Sequence, residues 1–546
     1  MKPPASLRHP ARYAALAAGA LPVLAFPAPG LAWFAWVALV PGLELMRRAG
    51  SGREATVRGW WFGAGFILVS MSWLVPSIGP GLLALAVVFG VLPGAVGYAV
   101  WRLLAPPLTV RRSLLALLVV PSVWVCTEFV RSWHALGGPW ALLGATQWEH
   151  PAVLGLASVG GAWLVSAAVA AANVGVLILL TGRRLRVRVL AALAVTAALL
   201  TGPLLFAALP APASSGDTAT LALVQPGEVA DSAARFAASE RITAGLTDRH
   251  PDLVVWGESS SNADLDRDTA ARERVQRLAA SVGAPVLVGE DARKGDGLIS
   301  KDAVLVTPDG VAERYRKIRL VPFGEYVPLR PLLGWLTGVS RAAGENRAPG
   351  TDFHLLHTTD RAGRPLPFGA LICFESTFPD MSRVAAADGA RMLVLQSATS
   401  TFQDSWAPQQ HASLGALRAA ETGRPVVQAA LTGESVAYDR QGRRIARLTT
   451  TASGALTVRL PLAAPTATTW YTRLGDWVPY TAAAVTLTAA ALALRARPRR
   501  GRQGHGELRA AEGTHPTAGN GDSPASDRPH PAVGPIPSDS RSSSRP

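Results

Sequence analysis

Three short segments of this chain join an apolar run to side chains that can do chemistry. Leu253-Val-Val-Trp-Gly-Glu258 carries an apolar strand pattern straight into a carboxylate. Tyr315-Arg-Lys317-Ile-Arg-Leu-Val-Pro-Phe-Gly-Glu325 sets a lysine among arginines and follows it with another carboxylate. Gly369-Ala-Leu-Ile-Cys373-Phe-Glu375 delivers a lone thiol to a strand end, with Glu375 two residues on. A thiol attacks as thiolate, and a nearby cation lowers its pKa. A carboxylate can take the thiol proton and return it later. A lysine ammonium is a compact donor that can hold the oxyanion of a tetrahedral intermediate. Each residue also has an ordinary alternative: packing for the cysteine, a helix cap for the carboxylate, a solvated basic face for the lysine. Together they point to nucleophilic catalysis.

These residues need a layered domain to hold them. From about residue 217 short β-rich runs alternate with amphipathic helices, which indicates α/β layers. Strands are expected at Thr220–Gln225, Asp252–Trp256, Pro285–Gly289, Phe368–Cys373 and Met392–Gln396, with a hairpin around Pro308-Asp-Gly310. Helices are expected over Asp231–Asp248, Arg272–Ser281 and about 408–422, and hairpin-spaced strands near 426–430, 434–438, 443–448 and 454–460 suggest a mixed sheet. Residues 319–350 form a long connection rich in large apolar residues, including Leu332, Leu333 and Trp335, the composition of a lid facing lipid or protein.

The rest of the chain reads as membrane. Of 546 residues, 49% are hydrophobic and only 17% charged, which excludes a mostly disordered protein and argues against a purely soluble one. Apolar stretches fall at about 12–27, 29–46, 59–79, 81–101, 113–131, 153–181, 189–209 and 477–494, near the ~20 residues that cross a bilayer core. The net charge of +15 comes from 53 basic against 38 acidic residues. Its arginines cluster in alternate loops, at Arg47–Arg58, Arg102–Arg112, Arg183–Arg188 and Arg495–Arg502. That pattern explains the charge by topology rather than by nucleic acid, with both termini cytoplasmic and the block after the seventh span outside. Residues 497–546, rich in Arg, Pro, Ser and Gly, are expected to be a disordered cytoplasmic tail. Glu128 and Arg131, one helical turn apart in the fifth segment, could pair with each other or order the outer loop. Trp133, Trp140 and Trp148 fit an interfacial aromatic belt, and two cysteines, Cys126 and Cys373, imply no disulfide framework.

At Trp256-Gly-Glu258, Arg316-Lys317…Val321-Pro-Phe-Gly-Glu325-Tyr-Val-Pro328 and Cys373-Phe-Glu375 the chain resembles the carbon–nitrogen hydrolase (nitrilase) superfamily. With seven spans before that block and one after, it looks like the apolipoprotein N-acyltransferase family, a likeness that covers about residues 10–495 and includes Thr469-Trp-Tyr-Thr-Arg-Leu-Gly-Asp-Trp477. The resemblance implies a polytopic helical bundle of about eight spans plus an extracytoplasmic αββα domain. The expected units are 1–210 (membrane), 217–460 (catalytic), 477–494 (last span) and 497–546 (tail). It implies Glu258 as general base, Lys317 as oxyanion stabiliser and Cys373 as the acyl-carrying nucleophile, with Glu325 and Glu375 as supporting acidic residues; Trp335 of the apolar connection is expected to support or bind substrate. The implied enzyme is a multi-pass cell-membrane acyltransferase of lipoprotein biosynthesis, a monomer with no cofactor, metal or nucleic acid. It would move an acyl chain from a phospholipid, through a thioester, to the α-amine of a diacylglyceryl-cysteine lipoprotein. A membrane-tethered amidase using the same residues is the alternative. A non-enzymatic scaffold or transporter would lack a reason to keep Glu258, Lys317 and Cys373. Two segments depart from the family pattern: Ser397-Ala-Thr-Ser-Thr-Phe402 stands where Asn-Asp-x-Trp-Phe is usual, and Gln225-Pro-Gly where Gln-Gly-Asn is usual.

Overall fold

The computed structural model describes residues 10–209, 213–229, 231–338 and 344–495; the tail expected over 497–546 lies outside them. Among the described residues five helices are long and apolar enough to cross a membrane: Gly81–Leu104, Val110–Arg131, Ala157–Thr181, Leu185–Ala208 and Trp477–Arg495. A sixth counts if Gly52–Ser70 and Ser72–Ile78, bent by 58° at their junction, form one span. The two apolar segments expected at 12–27 and 29–46 are not continuous helices. They fold as Pro10–Ala20, Leu21–Ala25, Ala32–Trp36 and Val40–Arg47. Pro22, Pro27 and Pro41 punctuate them, each removing a backbone donor that a long helix would need.

The block after residue 213 is built from two sheets. The first runs β13-β1-β2-β3-β4-β5, with β6 beside β4. Its strands are β1 (Ser214–Gln225), β2 (Leu253–Trp256), β3 (Val286–Arg293), β4 (Ile299–Thr307), β5 (Gly310–Arg316), β6 (Arg347–Ala348) and β13 (Gly454–Ala463). The second runs β12-β11-β10-β9-β8-β7. It comprises β7 (Leu356–Thr359), β8 (Pro365–Ile372), β9 (Met392–Ser397), β10 (Val426–Ala430), β11 (Ser435–Tyr438) and β12 (Arg444–Leu448). Each has a parallel centre, β1-β2-β3 and β8-β9-β10, widened by antiparallel strands. The mixed character expected of the late strands is present, and β13 crosses back to pair with β1.

Side-chain alternation assigns the layers. Leu221, Leu223, Leu253 and Val255 meet Phe368, Ala370, Ile372, Met392 and Val394 between the sheets. Val224, Val254 and Trp256 face the opposite way, onto Phe236, Val275, Ala279 and Val282 of the helices Ser232–Ala244 and Thr269–Val282. Leu371, Leu393 and Leu395 of the second sheet face the helices Pro379–Ala387 and Ala407–Thr422. The result is helix, sheet, sheet, helix. The last layer is shared with the membrane helices, because Trp73, Leu142, Leu154, Trp163 and Val165 pack in the same cluster as Leu414 and Leu417.

That junction contains fully buried charge. Arg418 donates to Glu421 Oε1 at 2.9 Å, and the same oxygen accepts from the backbone N–H of Ala162 at 2.8 Å. Ala162 is free to do so because the helix breaks at Gly160 and Gly161. Gly161 has φ +68°, and a Cβ there would lie 2.7 Å from the Tyr471 ring, so both backbone angle and space call for glycine. Burial pushes the Glu421 carboxyl up to about 7, against the pull of Arg418 and the Ala162 N–H. A carboxyl with a raised folded pKa favours the fold most when protonated. That stability is complete below the unfolded value of ~4.3 and is lost as pH rises through about 7. Arg418→Met should therefore cost ~3–5 kcal/mol at alkaline pH, where Glu421 is ionised, the usual effect of stranding a buried charge. The cost should shrink under mild acid, where Glu421 takes up a proton. Thermal unfolding in detergent at the two pH values measures it; equal losses would mean that Arg418 acts by packing alone.

Candidate active site

β2 and β8 deliver the carboxylate and the thiol. Trp256, the last residue of β2, is fully buried, donates through its indole to Thr243 Oγ1 at 2.9 Å, and accepts at its carbonyl from Gln396 at 2.8 Å. Gly257 follows; a Cβ on it would lie 2.1 Å from the backbone nitrogen of Leu431, so only glycine lets the chain pass between the sheets to Glu258. Cys373 follows β8 directly and has φ +51°. A non-glycine residue in the left-handed region is strained and needs surroundings that hold it there. The chain then turns through Cys373–Thr377 as a short 3₁₀ helix.

Lys317 follows β5 and is fully buried. Its ammonium donates to Glu258 Oε1 at 3.1 Å and Glu325 Oε1 at 2.7 Å. Glu325 Oε2 in turn accepts from the Val321 N–H at 2.9 Å, which ties the start of the long connection to the site. Of the charges that act on the Cys373 thiol, Glu258 weighs most and Lys317 opposes it. Burial would raise the Glu258 carboxyl, but the charges of Lys301 and Lys317 outweigh it and hold the group well below the usual carboxylate range. Burial and then the negative charge of Glu258 push the Cys373 thiol up to about 12, against the pull of Lys317. The resting pair is therefore a thiol beside a carboxylate.

Glu375 is buried and faces away from solvent, accepting four hydrogen bonds. Tyr315 Oη (2.8 Å), Ile318 N (2.7 Å) and Arg319 N (3.1 Å) donate to Oε1, and Ile372 N (2.9 Å) donates to Oε2. It positions the residues on either side of Lys317 and the residue before Cys373. Of the six sequence candidates, the structure gathers Glu258, Lys317, Cys373, Glu325 and Glu375. Trp335 is not in the cluster: it lies on the turn Gly334–Gly338 and is 65% exposed.

Sequence reasoning missed three participants. Lys301 of β4 lies 3.2 Å from Glu258 Oε1. It sits in an unremarkable apolar strand; the rarity of lysine, with only four in the chain, was the one available signal. Asp291 of β3 stands 3.2 Å from Lys301 Nζ. His411, buried and held neutral by that burial, contacts Ser376 Oγ (3.0 Å) and the Cys373 carbonyl (3.1 Å) through Nε2, and Ser397 Oγ (3.1 Å) through Nδ1.

The membrane half supplies a wall. His134 Nε2 lies 2.7 Å from the Leu320 carbonyl, and its ring neighbours Tyr326, Phe374 and Phe378. Trp140 packs on Trp73 and His411, Trp148 packs on Tyr438, and Trp73 packs on Phe402. Trp140 and Trp148 thus belong to the junction rather than to a lipid-facing belt, whereas Trp133 remains exposed. Glu128 and Arg131 brace this loop separately: Glu128 accepts from Leu143 N at 2.8 Å, and Arg131 donates to the carbonyls of Trp140 and Ala141.

A four-layer domain of two sheets between helices, with Glu, Lys and Cys where the sheets meet, defines a carbon–nitrogen hydrolase joined to a membrane bundle. The sequence matches the carbon-nitrogen hydrolase family over residues 220–469 and the apolipoprotein N-acyltransferase N-terminal domain over residues 18–175. It is 31% identical to an apolipoprotein N-acyltransferase of Geobacter metallireducens, over 78% of this chain and 85% of the relative. It is 30% identical to one of Methylococcus capsulatus, over 85% of this chain and 92% of the relative. A solved amidase from Nesterenkonia sp. aligns with 46% of this chain and 92% of its own, at 20% identity and a TM-score of 0.33. The chain belongs to the apolipoprotein N-acyltransferase family.

The protonation state of the thiol is open to direct measurement. With Cys126→Ala removing the other thiol, alkylation of Cys373 by iodoacetamide should climb steadily with pH, since the thiol pKa is raised and thiolate is the reactive form. No plateau is expected near neutrality. A plateau below about pH 8 would reveal a standing thiolate, of the kind a depressed cysteine pKa produces.

Proposed function

We propose that this protein transfers an acyl chain from a membrane phospholipid, by way of a Cys373 thioester, to the α-amine of a diacylglyceryl-cysteine at a lipoprotein N-terminus. The observation that carries the reading is a buried ammonium bonded to a buried carboxylate, both acting through their charge on the Cys373 thiol, in a domain whose helical layer is completed by membrane helices. Family membership supplies the class of substrate.

In the first half-reaction Glu258 takes the Cys373 proton as sulfur attacks the ester carbonyl. Lys317, with a third N–H beyond the two given to carboxylates, holds the oxyanion. Collapse breaks the ester C–O bond, and Glu258 returns the proton to the leaving lysophospholipid oxygen. In the second half-reaction the acceptor amine attacks the thioester, Glu258 accepts its proton, and collapse expels the thiolate, which regains that proton. Splitting the transfer in two avoids bringing both lipids to one centre together. All three triad residues come from one chain, which fits a monomer. The arginine-rich alternate loops support a catalytic domain outside the cytoplasm and both termini inside.

A purified sample given phospholipid and no acceptor should form a hydroxylamine-sensitive acyl adduct at Cys373. Cys373→Ala should lose the adduct while folding normally, and Cys373→Ser should not turn over. An adduct that persists in the alanine variant removes Cys373 from the role. Rapid release of free fatty acid from the wild type, with no amide formed when amine is added, favours hydrolysis over transfer.

The long connection offers a separate check on lipid use. Leu329, Leu332 and Trp335 are 72%, 69% and 65% exposed. If these side chains meet the bilayer, each contributes ~1.5–3 kcal/mol of apolar burial there. Changing all three to Ser should raise the phospholipid concentration needed for half-maximal adduct formation while leaving thermal stability unchanged. A matching loss of stability would assign them to packing within the protein.

A further inference from the structure

The cluster around Glu258 contains a cation that the triad does not use. Lys301 lies within β4, its side chain almost wholly buried. Its ammonium is 3.2 Å from Glu258 Oε1, 3.2 Å from Asp291 Oδ2 and 3.8 Å from Glu325 Oε1, and it donates to Ser259 Oγ at 2.7 Å. Lys317 reaches the same Glu258 Oε1 at 3.1 Å. One carboxylate oxygen therefore carries two ammonium groups.

The strand register explains how Lys301 comes to be there. β4 pairs antiparallel with β3, and Lys301 lies directly opposite Asp291. Successive residues of a strand face opposite sides. Asp302 accordingly turns the other way, to Arg314 at 2.8 Å. Lys301 alone of this pair is aimed at the catalytic edge.

Two ammonium groups this close repel each other unless negative charge offsets them. Glu258, Glu325 and Asp291 supply three negative charges. Lys301 and Lys317 supply two positive ones, and Arg347, 3.4 Å from Asp291, supplies the third. The group is neutral as built. Without Lys301 it would hold one uncompensated carboxylate in a buried place, where an unpaired charge is costly and the group protonates instead. Beyond these residues, Glu258 faces the Cys373 thiol, with neutral His411 and the four-fold hydrogen-bonded Glu375 on the Cys373 side.

We infer that Lys301 is a positioning residue for acyl transfer: it anchors Glu258 Oε1 and supplies the counter-charge that keeps the base a carboxylate in both half-reactions, so that Lys317 can serve the oxyanion. This rests on the reading of Cys373 as nucleophile. In agreement, the charge of Lys301 opposes burial at Glu258 together with the charge and the hydrogen bond of Lys317.

The test is the pH dependence of adduct formation at Cys373 in single turnover, using full-length protein in mixed micelles of phospholipid and detergent. Wild type should show no acid limb between about pH 5 and about pH 8, because its base stays ionised throughout. In Lys301→Gln the acid limb should move into that range, with the rate at about pH 5 at least ~10-fold below that at about pH 8. Lys301→Arg, which keeps the charge, should restore the flat profile. Should Lys301→Gln fail to fold, Lys301→Met, which keeps the unbranched apolar stem and removes only the charge, is the second variant; the same acid limb is expected. A flat profile in the neutral variants, whether at full rate or uniformly reduced, overturns the proposal and leaves Lys301 a structural partner of Asp291 and Ser259. A wild type that forms no adduct overturns the nucleophile reading and this inference with it, whereas an adduct with an unmoved profile overturns only the role of Lys301.

Discussion

One buried carboxylate decides whether the two sheets meet with their chemistry aligned. Glu375 accepts from Tyr315 on β5, from the two N–H groups after Lys317, and from Ile372 at the end of β8. The ammonium arrives from the first sheet and the thiol from the second, and Glu375 is bonded to both approaches. Burial raises its carboxyl, and the backbone N–H groups and Lys317 pull it back. Such a group is costly to bury unless every lone pair is used. Four donors in three dimensions can be satisfied by only one arrangement of the sheets, which makes Glu375 a device for specificity. It also holds the left-handed backbone of Cys373, since Ile372 is fixed just before the strained residue.

The charge arrangement then sets what kind of nucleophile this is. Cysteine enzymes that keep a standing thiolate place the sulfur beside a cation and away from anions. Here the charge that weighs most on the sulfur is that of Glu258, itself held ionised by lysines. A thiolate at rest would face a carboxylate in a buried pocket. The energetically consistent course is for the proton to leave sulfur as the carbon–sulfur bond forms, with negative charge passing to an oxyanion near Lys317. In the proposed reaction Glu258 would then do the work of a base and Lys317 would gain an anion, which is where electrostatic stabilisation is most effective.

Most strands were legible because the pattern is local. Leu253–Trp256, Phe368–Ile372 and Met392–Gln396 are short, nearly continuous apolar runs, the pattern of parallel strands buried on both faces. Glu258, Lys317 and Cys373 were legible for a related reason: each stands just past such a strand. What the sequence could not show is contact across the fold. Lys301 reads as one charge in a strand, and its importance comes from facing Glu258 across two strands. β7 was overlooked because Leu356–Thr359 is short and polar on one face. Trp335 was read as part of a lipid-facing lid from the composition of its connection, and a turn carries it outward, away from the triad. Apolar length alone marked residues 12–46 as two spans; the prolines in them fix backbone geometry in a way hydropathy does not register.

The relation between the catalytic domain and the bundle follows from the helix Ala407–Thr422. An outer helix of an αββα domain normally keeps one polar face for solvent. This one is buried on nearly every side, from Gln410 through Thr422. Its inner face meets the second sheet, and Leu414 and Leu417 share a cluster with Trp163 and Leu142 of the membrane half. Buried charge seals the contact, because Glu421 bonds a backbone amide exposed only by the Gly160–Gly161 break. A domain that merely sat on a membrane anchor would need neither. The same junction reaches the nucleophile: Phe374, next to Cys373, packs against His134, and a Cβ on Gly138 would strike the Phe374 ring at 2.8 Å. The thiol is therefore fixed in position relative to the helices that lie in lipid. A lipid-borne ester has to be brought to it, because the sulfur itself cannot move far, and the exposed apolar residues Leu329, Leu332 and Trp335 stand on the segment whose first turns are bonded to Lys317 through Glu325. That segment and the ammonium of Lys317 are thus mechanically joined through a single side chain.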